Sequence, residues 1–148
     1  SNQANYRPYD VFSAGRCELI RVLPDGRMYL NVHIRQRYRA IQEKQTLPYM
    51  LYECEPFVDR PLNTSEQHNA LELQDKIIHR LQALAFRYPE LQEGFDAVAW
   101  QNKDITEFSF QLFGMISFGS DSQQQILEMD NPVPRLEEAL RLLNQIEA

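Results

Sequence analysis

The sequence predicts an α+β fold, with an N-terminal antiparallel β lobe followed by a C-terminal α-helical lobe, and three observations predict it. From Gly15 to about Pro56 polar and apolar residues alternate, as they do when successive side chains point to opposite faces of a strand. After Pro61 the apolar residues recur at three- and four-residue steps instead, the spacing of a helix that buries one stripe. Strands and helices fall in separate runs without β-α alternation, which excludes a doubly wound parallel sheet.

The elements follow in order. Residues Gly15 to Leu23 form a first strand, and Pro24-Asp25-Gly26 turns the chain, because Pro presets φ near −65° and Gly accepts positive φ. On the return strand Met28, Leu30, Val32 and Ile34 point one way and Tyr29, Asn31, His33 and Arg35 the other, the pattern of a half-buried strand. A third strand, Tyr49 to Cys54, lies between Pro48 and Pro56. Thr64-Ser-Glu-Gln67 reads as a capping box, and the long amphipathic helix it opens, carrying Leu71, Leu73, Gln74, Ile77, Ile78, Leu81, Leu84 and Ala85, runs until Pro89 stops it. A short helix or turn spans Pro89 to about Val98. Asp104-Ile-Thr-Glu107 starts the next helix, with Ile105, Phe108, Leu112, Met115 and Ile116, and Gly119 ends it. Ser122-Gln-Gln-Gln125 reads as a second capping box before Ile126, Leu127 and Met129. Asn131-Pro132 caps and begins the last helix, which buries Val133, Leu136, Leu140, Leu143 and Ile146. Residues 3–60 are thus expected to be the β lobe and 61–148 the helical lobe of one domain.

A chain of 148 residues suits one domain of two small lobes. At 43% hydrophobic and 24% charged it has the composition of a folded protein. The net charge of −6 argues against a surface that is wholly an electrostatic trap for nucleic acid. The charge is uneven: residues 1–48 hold 8 Lys/Arg against 4 Asp/Glu, and residues 49–148 hold 7 against 17. This polarity either steers partners or keeps the chain soluble. Cys17 and Cys54 sit in apolar alternation and in no C-x-x-C pair, as expected of buried reduced thiols in a cytoplasmic protein. No apolar run approaches the ~20 residues that span a bilayer. Ser1-Asn2 reads as a scar of expression and is set aside.

Catalytic constellations are eliminated residue by residue. Gly114 and Gly119 have the glycine spacing of a phosphate-binding loop, but Ser120-Asp121 follows where Gly-x4-Gly-Lys-Ser/Thr needs its lysine. Ser117 lacks the glycine two positions earlier that a nucleophile elbow requires. His68 and His79 stand eleven residues apart, roughly 16 Å along a helix and too far to share a metal; these two and His33 read as surface residues. Glu53 and Glu55 share a strand face without an apolar cluster to hold a proton on either. Arg35-Gln-Arg-Tyr-Arg39 remains as a nucleic-acid candidate, since guanidinium groups beside an aromatic ring contact phosphate and stack on bases. The alternative is that these arginines end a strand and pair with carboxylates of the helical lobe.

A set of short motifs carries a resemblance. Gly15, Cys17-Glu-Leu-Ile20, Leu23-Pro-Asp-Gly26, Tyr29-Leu-Asn-Val32, Arg37-Tyr-Arg39 and Pro48 to Pro56 occur in that order, and Gln124-Gln-Ile-Leu-Glu-Met-Asp130 with Arg135-Leu-Glu follows near the end. In order and spacing this resembles the substrate-binding domain at the amino end of Lon-type ATP-dependent proteases. Two departures stand out. The family's glycine before the Arg-aromatic-Arg element falls near Ile34, and the family's further leading strands are missing, as in a fragment or in a homologue that has lost part of its sheet.

The resemblance implies a partial PUA-like barrel, no catalysis and no cofactor, and partners that are unfolded or tagged protein segments. Proteolysis is not implied, because neither an ATPase nor a Ser-Lys protease motif is present. Candidate partner-binding residues are Tyr29, His33, Tyr49 and Leu51 on the outward strand face, where backbone edges also offer strand addition, together with Arg35 and Arg37. Two alternatives stay open: an RNA-binding PUA-like module that uses Arg35–Arg39, and an oligomerisation piece. A sheet short of strands exposes edges and apolar faces, so self-association through the strand lobe is a further expectation. No metal site, membrane or nucleic-acid partner is expected.

Overall fold

A computed structural model describes residues 8–89, 95–115 and 119–146. The chain divides into two compact units, Ser1–Val58 and Asp59–Ala148. The first holds strands β1 (Val11–Val22), β2 (Met28–Gln45) and β3 (Leu51–Pro56), in the antiparallel order β1-β2-β3. The second holds helices α1 (Thr64–Arg87), α2 (Ala97–Gln101), α3 (Ile105–Met115), α4 (Ser120–Glu128) and α5 (Pro132–Leu143). This is the α+β arrangement that the change of period predicts.

The β1–β2 turn forms as the sequence dictates. Gly26 takes φ 84°, its amide donates to the Leu23 carbonyl at 3.0 Å, and the Leu23 amide donates to the Arg27 carbonyl at 2.8 Å. The Asp25 carboxylate accepts from the Arg27 amide at 3.1 Å and from its Nε at 2.7 Å. Both strands exceed the expected lengths: β1 begins four residues before Gly15, and β2 continues through Arg35–Arg39 to Gln45. β3 starts at Leu51, so Tyr49 and Met50 belong to the connection that precedes it.

Two irregularities interrupt the β1–β2 ladder. Ala14 pairs with Gln36 and Gly15 with Ile34, leaving Arg35 as an extra residue in β2; Leu19 pairs with Leu30 and Arg21 with Tyr29, leaving Ile20 extra in β1. Gly15 is required at the first of these, because a Cβ there would stand 1.8 Å from the His33 carbonyl oxygen. The close approach also accounts for the glycine's place in the motif.

The helical unit closes its own core. Leu73, Ile77, Leu81 and Leu84 form the buried spine of α1 and pack with Phe108 and Leu112 of α3, Ile126 of α4, and Leu136, Ala139 and Leu143 of α5. Leu71, expected on this face, is exposed; the spine runs through Ala70 and Leu73 instead. Trp100 meets Phe108 edge-on at 5.6 Å, a geometry favoured by ring quadrupoles. Gln74, buried, donates from Nε2 to the Trp100 carbonyl at 3.1 Å and ties α1 to the end of α2.

Helix ends are where the sequence reading slips. The α1 cap is Asn63 and not Thr64: Asn63 Oδ1 accepts from the Glu66 amide at 2.9 Å and Glu66 Oε2 accepts from the Asn63 amide at 3.0 Å. Arg60 selects this register by gripping the Glu66 carboxylate, with one contact at 3.1 Å. Ser122 caps nothing, since α4 starts at Ser120 behind Gly119 at φ 86° and has no side-chain cap. Gly119 therefore precedes a helix. Asp104 and Asn131 cap α3 and α5 as read, with Thr106 and Val133 amides donating to their Oδ1 atoms, each at 2.9 Å. Ile116, Ser117 and residues 90–94 of the expected turn after Pro89 lie outside the described residues.

Arg135 is the unforeseen member of the core, with 0% of its surface exposed. Its Nη1 donates to Asp59 Oδ1 at 2.7 Å and to the Met129 carbonyl at 3.0 Å, its Nη2 donates to Asp59 Oδ2, and its Nε donates to Ser109 Oγ at 3.0 Å. The guanidinium lies 4.1 Å from the Phe110 ring centroid. Each nitrogen of the cation thus donates to a partner and one of its faces lies on a ring, the condition under which a buried charge is tolerated.

Candidate functional site

The register of β1 and β2 sorts the strand unit into two chemically different faces. Directly paired residues share a face, so Cys17 with Val32, Leu19 with Leu30, and Val22 with Met28 line one side, along with Ile34 opposite Gly15. These apolar side chains are not half-buried as their alternation predicts: from Leu30 at 48% to Met28 at 60%, Leu19, Val22, Val32 and Ile34 are all open to solvent. Cys17, expected inside, is exposed on the same face, and Cys54 is half-buried. The alternation correctly marks the apolar face; no other described element of this unit covers it. Among the described residues of this unit the buried apolar side chains are Val11 and Phe57.

The opposite face is polar. Arg16 pairs with His33 and Glu18 with Asn31, and the His33 Nε2 stands 3.2 Å from Glu18 Oε2. A cavity of about 550 Å³ opens here, lined by Arg16, Cys17, Glu18, His33 and Arg35. Arg35 reaches it as the residue two positions beyond His33, where the β2 bulge falls. Tyr29, 59% exposed, continues this face opposite Arg21.

The six candidate residues therefore do not form one site. Tyr29, His33 and Arg35 come together on the polar face. Arg37 and Arg39, which strict alternation places beside Arg35, are shifted by the bulge to the other face, in register with Ser13 and Val11. Both guanidinium groups lie over the Phe57 ring, 4.6 and 4.5 Å from its centroid, and Arg37 is 8% exposed. Leu51 pairs with Gln45, ten residues along β2 from Arg35 or roughly 33 Å of strand. Tyr49 is exposed just before it. Arg16 and Glu18 are the members that sequence reading missed. Counting back from the Pro24-Asp25-Gly26 turn pairs Val22 with Met28 and would put Cys17 opposite His33; the extra Ile20 moves Arg16 into that place, so turn position alone does not reveal it.

Other candidate chemistry dissolves on inspection. His68 faces Glu72 at 3.2 Å and His79 faces Asp75 at 3.5 Å, each one helical turn away on the exposed side of α1. Glu53 pairs with Lys44 at 2.6 Å. Among the described residues no group of three or more His, Cys, Asp or Glu could hold a metal ion, and no described helix is long and apolar enough to cross a membrane.

The family model of the ATP-dependent protease La (LON) substrate-binding domain matches residues 4–145. The chain belongs to this family. No curated protein matches it. The Lon substrate-binding domain match spans both the strand unit and the helical unit, so the hairpin motifs and the Arg135 element belong to one family pattern. At the level of the family, this Lon domain is a substrate-binding module, and its partners are protein substrates.

Proposed function

We propose that this Lon substrate-binding domain is a non-catalytic module that holds unfolded or tagged protein segments on the sheet of its strand unit, in a reducing compartment such as the cytoplasm. The observation that carries the reading is the open apolar face made by Leu19, Val22, Met28, Leu30, Val32 and Ile34. Soluble proteins seldom leave so continuous a patch uncovered unless something binds there. Among the described residues β1 and β3 are each paired on one side alone, and their outer edges add backbone donors and acceptors for an extended segment. Residues 1–58 act as the holding lobe and residues 59–148 as the scaffold lobe of one domain. The same face gives a second copy of the chain a place to associate.

Fluorescence anisotropy with a permanently unfolded, labelled protein and with labelled RNA, at two salt concentrations, tests the proposal. The unfolded protein is expected to bind, and Leu30→Asp/Val32→Asp to weaken it at least tenfold without loss of helicity. Absence of binding at high micromolar concentration would overturn the reading. So would RNA binding that falls steeply with salt and vanishes in Arg35→Ala/Arg37→Ala. The RNA reading needs Arg35 to Arg39 as one strip, and the bulge divides it.

A further inference from the structure

We infer that the free edge of β1 between Gly15 and Leu19 is a strand-addition site for an extended segment in which acidic and apolar residues alternate. This rests on the proposed holding function and specifies its substrate class. In the order β1-β2-β3, β1 is paired on one side alone among the described residues. Gly15 to Leu19 is the stretch of β1 that lies between the two ladder irregularities, so its pairing is regular throughout. A bulge bends a strand and interrupts its ladder; five residues of straight edge are what remains for a guest.

The two faces beside that edge dictate what the guest carries. An added strand places alternate side chains on alternate faces. On one side its residues meet Leu19 and Cys17, with Leu30 and Val32 one strand further in, all exposed. On the other they meet Arg16, with His33 opposite it and Arg35, two residues beyond His33, lining the same cavity. Glu18, the acidic member of that cavity, lies 3.2 Å from His33 Nε2, and the two guanidinium groups outnumber its single carboxylate as the attraction for a guest. Carboxylates suit these arginines because a fork of N–H donors meets a planar pair of oxygens. A polynucleotide suits them less well, since its phosphates would run along one face and leave the apolar face uncovered.

The experiment measures anisotropy of the full chain with labelled, end-capped peptides of alternating Val and Asp. It compares a Val/Lys counterpart, a peptide of the same Val/Asp composition in two blocks, and two versions of the parent N-methylated on one or the other set of alternate amides. The alternating Val/Asp peptide is expected to bind at least tenfold more tightly than the Lys and block forms. It should lose at least tenfold in Arg16→Ala/Arg35→Ala, whose exposed side chains leave the circular dichroism unchanged. One N-methylated version should fail and the other bind, because a single edge of the guest faces β1. Equal binding of the Lys form, unchanged binding by the double variant, or parent-like binding of both N-methylated versions would overturn the assignment. Tighter binding of single-stranded RNA that depends on the same two arginines would also overturn it. If the unfolded protein binds while no peptide does, the holding function stands and this site falls; if neither binds, both fall.

Discussion

In residues 59–148, Leu73, Ile77, Leu81, Leu112, Leu136 and Leu143 are sealed among five helices, whereas in residues 1–58 equally apolar side chains such as Leu30, Val32 and Ile34 stand about half exposed. Both sets obey the period of their secondary structure. The difference lies in whether the same unit supplies the opposing surface. Each helix of the second unit offers a stripe that another helix covers, and even its buried cation is enclosed by Asp59, Ser109, Phe110 and Met129. Among its described residues the strand unit presents an apolar face, a polar face and strand edges without a neighbour together. Patterning thus specifies which face is apolar without specifying what will lie on it. A domain that binds substrates uses that latitude.

The sharpest way to break the comparison is to open the closed unit. Asp59→Ala leaves Arg135 buried without its carboxylate and is expected to cost about 3–5 kcal/mol, read as a fall in the urea midpoint of the helical signal. Replacing both residues with apolar ones should cost much less than the sum of the single changes. Next come matched truncations: Leu112→Ala, at a fully buried position, should cost about 2–5 kcal/mol, and Leu30→Ala on the open face less than about 0.5 kcal/mol. A similar cost for the two would mean that Leu30 is covered in solution. Gly15→Ala is the strand unit's exception. It forces a Cβ into the His33 carbonyl and should destabilise the hairpin by about 1–3 kcal/mol, seen as faster amide exchange in β1 and β2 with α1 and α5 unaffected.

The smallest effect is a pH dependence. The Arg60 guanidinium that donates to Glu66, with the Asn63 amide, holds the Glu66 carboxyl down from 4.5 to about 2. A depressed carboxyl stabilises the folded state above its ordinary value and loses that contribution as pH falls through the folded one. The difference in melting temperature between the wild-type chain and Glu66→Gln should therefore be constant above about pH 4.5 and shrink between 4.5 and about 2. A difference that stays flat over this range would mean that the pair does not form.

Much of this was legible in the sequence, and the remainder fails for identifiable reasons. Three- and four-residue steps located α1 and its spine, and Pro24-Asp25-Gly26 located the hairpin, because period and turn chemistry are local properties. The ordered motifs gave the family correctly. The α1 cap moved by one residue because Asn63 and Thr64 are both good caps and Arg60, outside the helix, decides between them. The burial of Arg135 was not legible, since its partner Asp59 is 76 positions away. The candidate site was half legible: Tyr29, His33 and Arg35 share a face as their spacing predicts, but the separation of Arg35 from Arg37 depends on one unpaired residue that leaves no compositional trace.

That unpaired residue is a phase shift in a two-valued repeat. From Met28 to Ala40, short of the further irregularities at Ile41 and Lys44, β2 follows the same alternation on both sides of Arg35, yet odd-numbered positions face one way before it and the other way after it. Substitution cannot undo this; only a change of length can. Deleting one residue at Arg35–Gln36 would force Arg37 and Arg39 off Phe57 or turn Met28, Leu30, Val32 and Ile34 over to the opposite side. Relatives of this chain should accordingly tolerate almost any side chain at the bulge and almost no single-residue insertion or deletion near it.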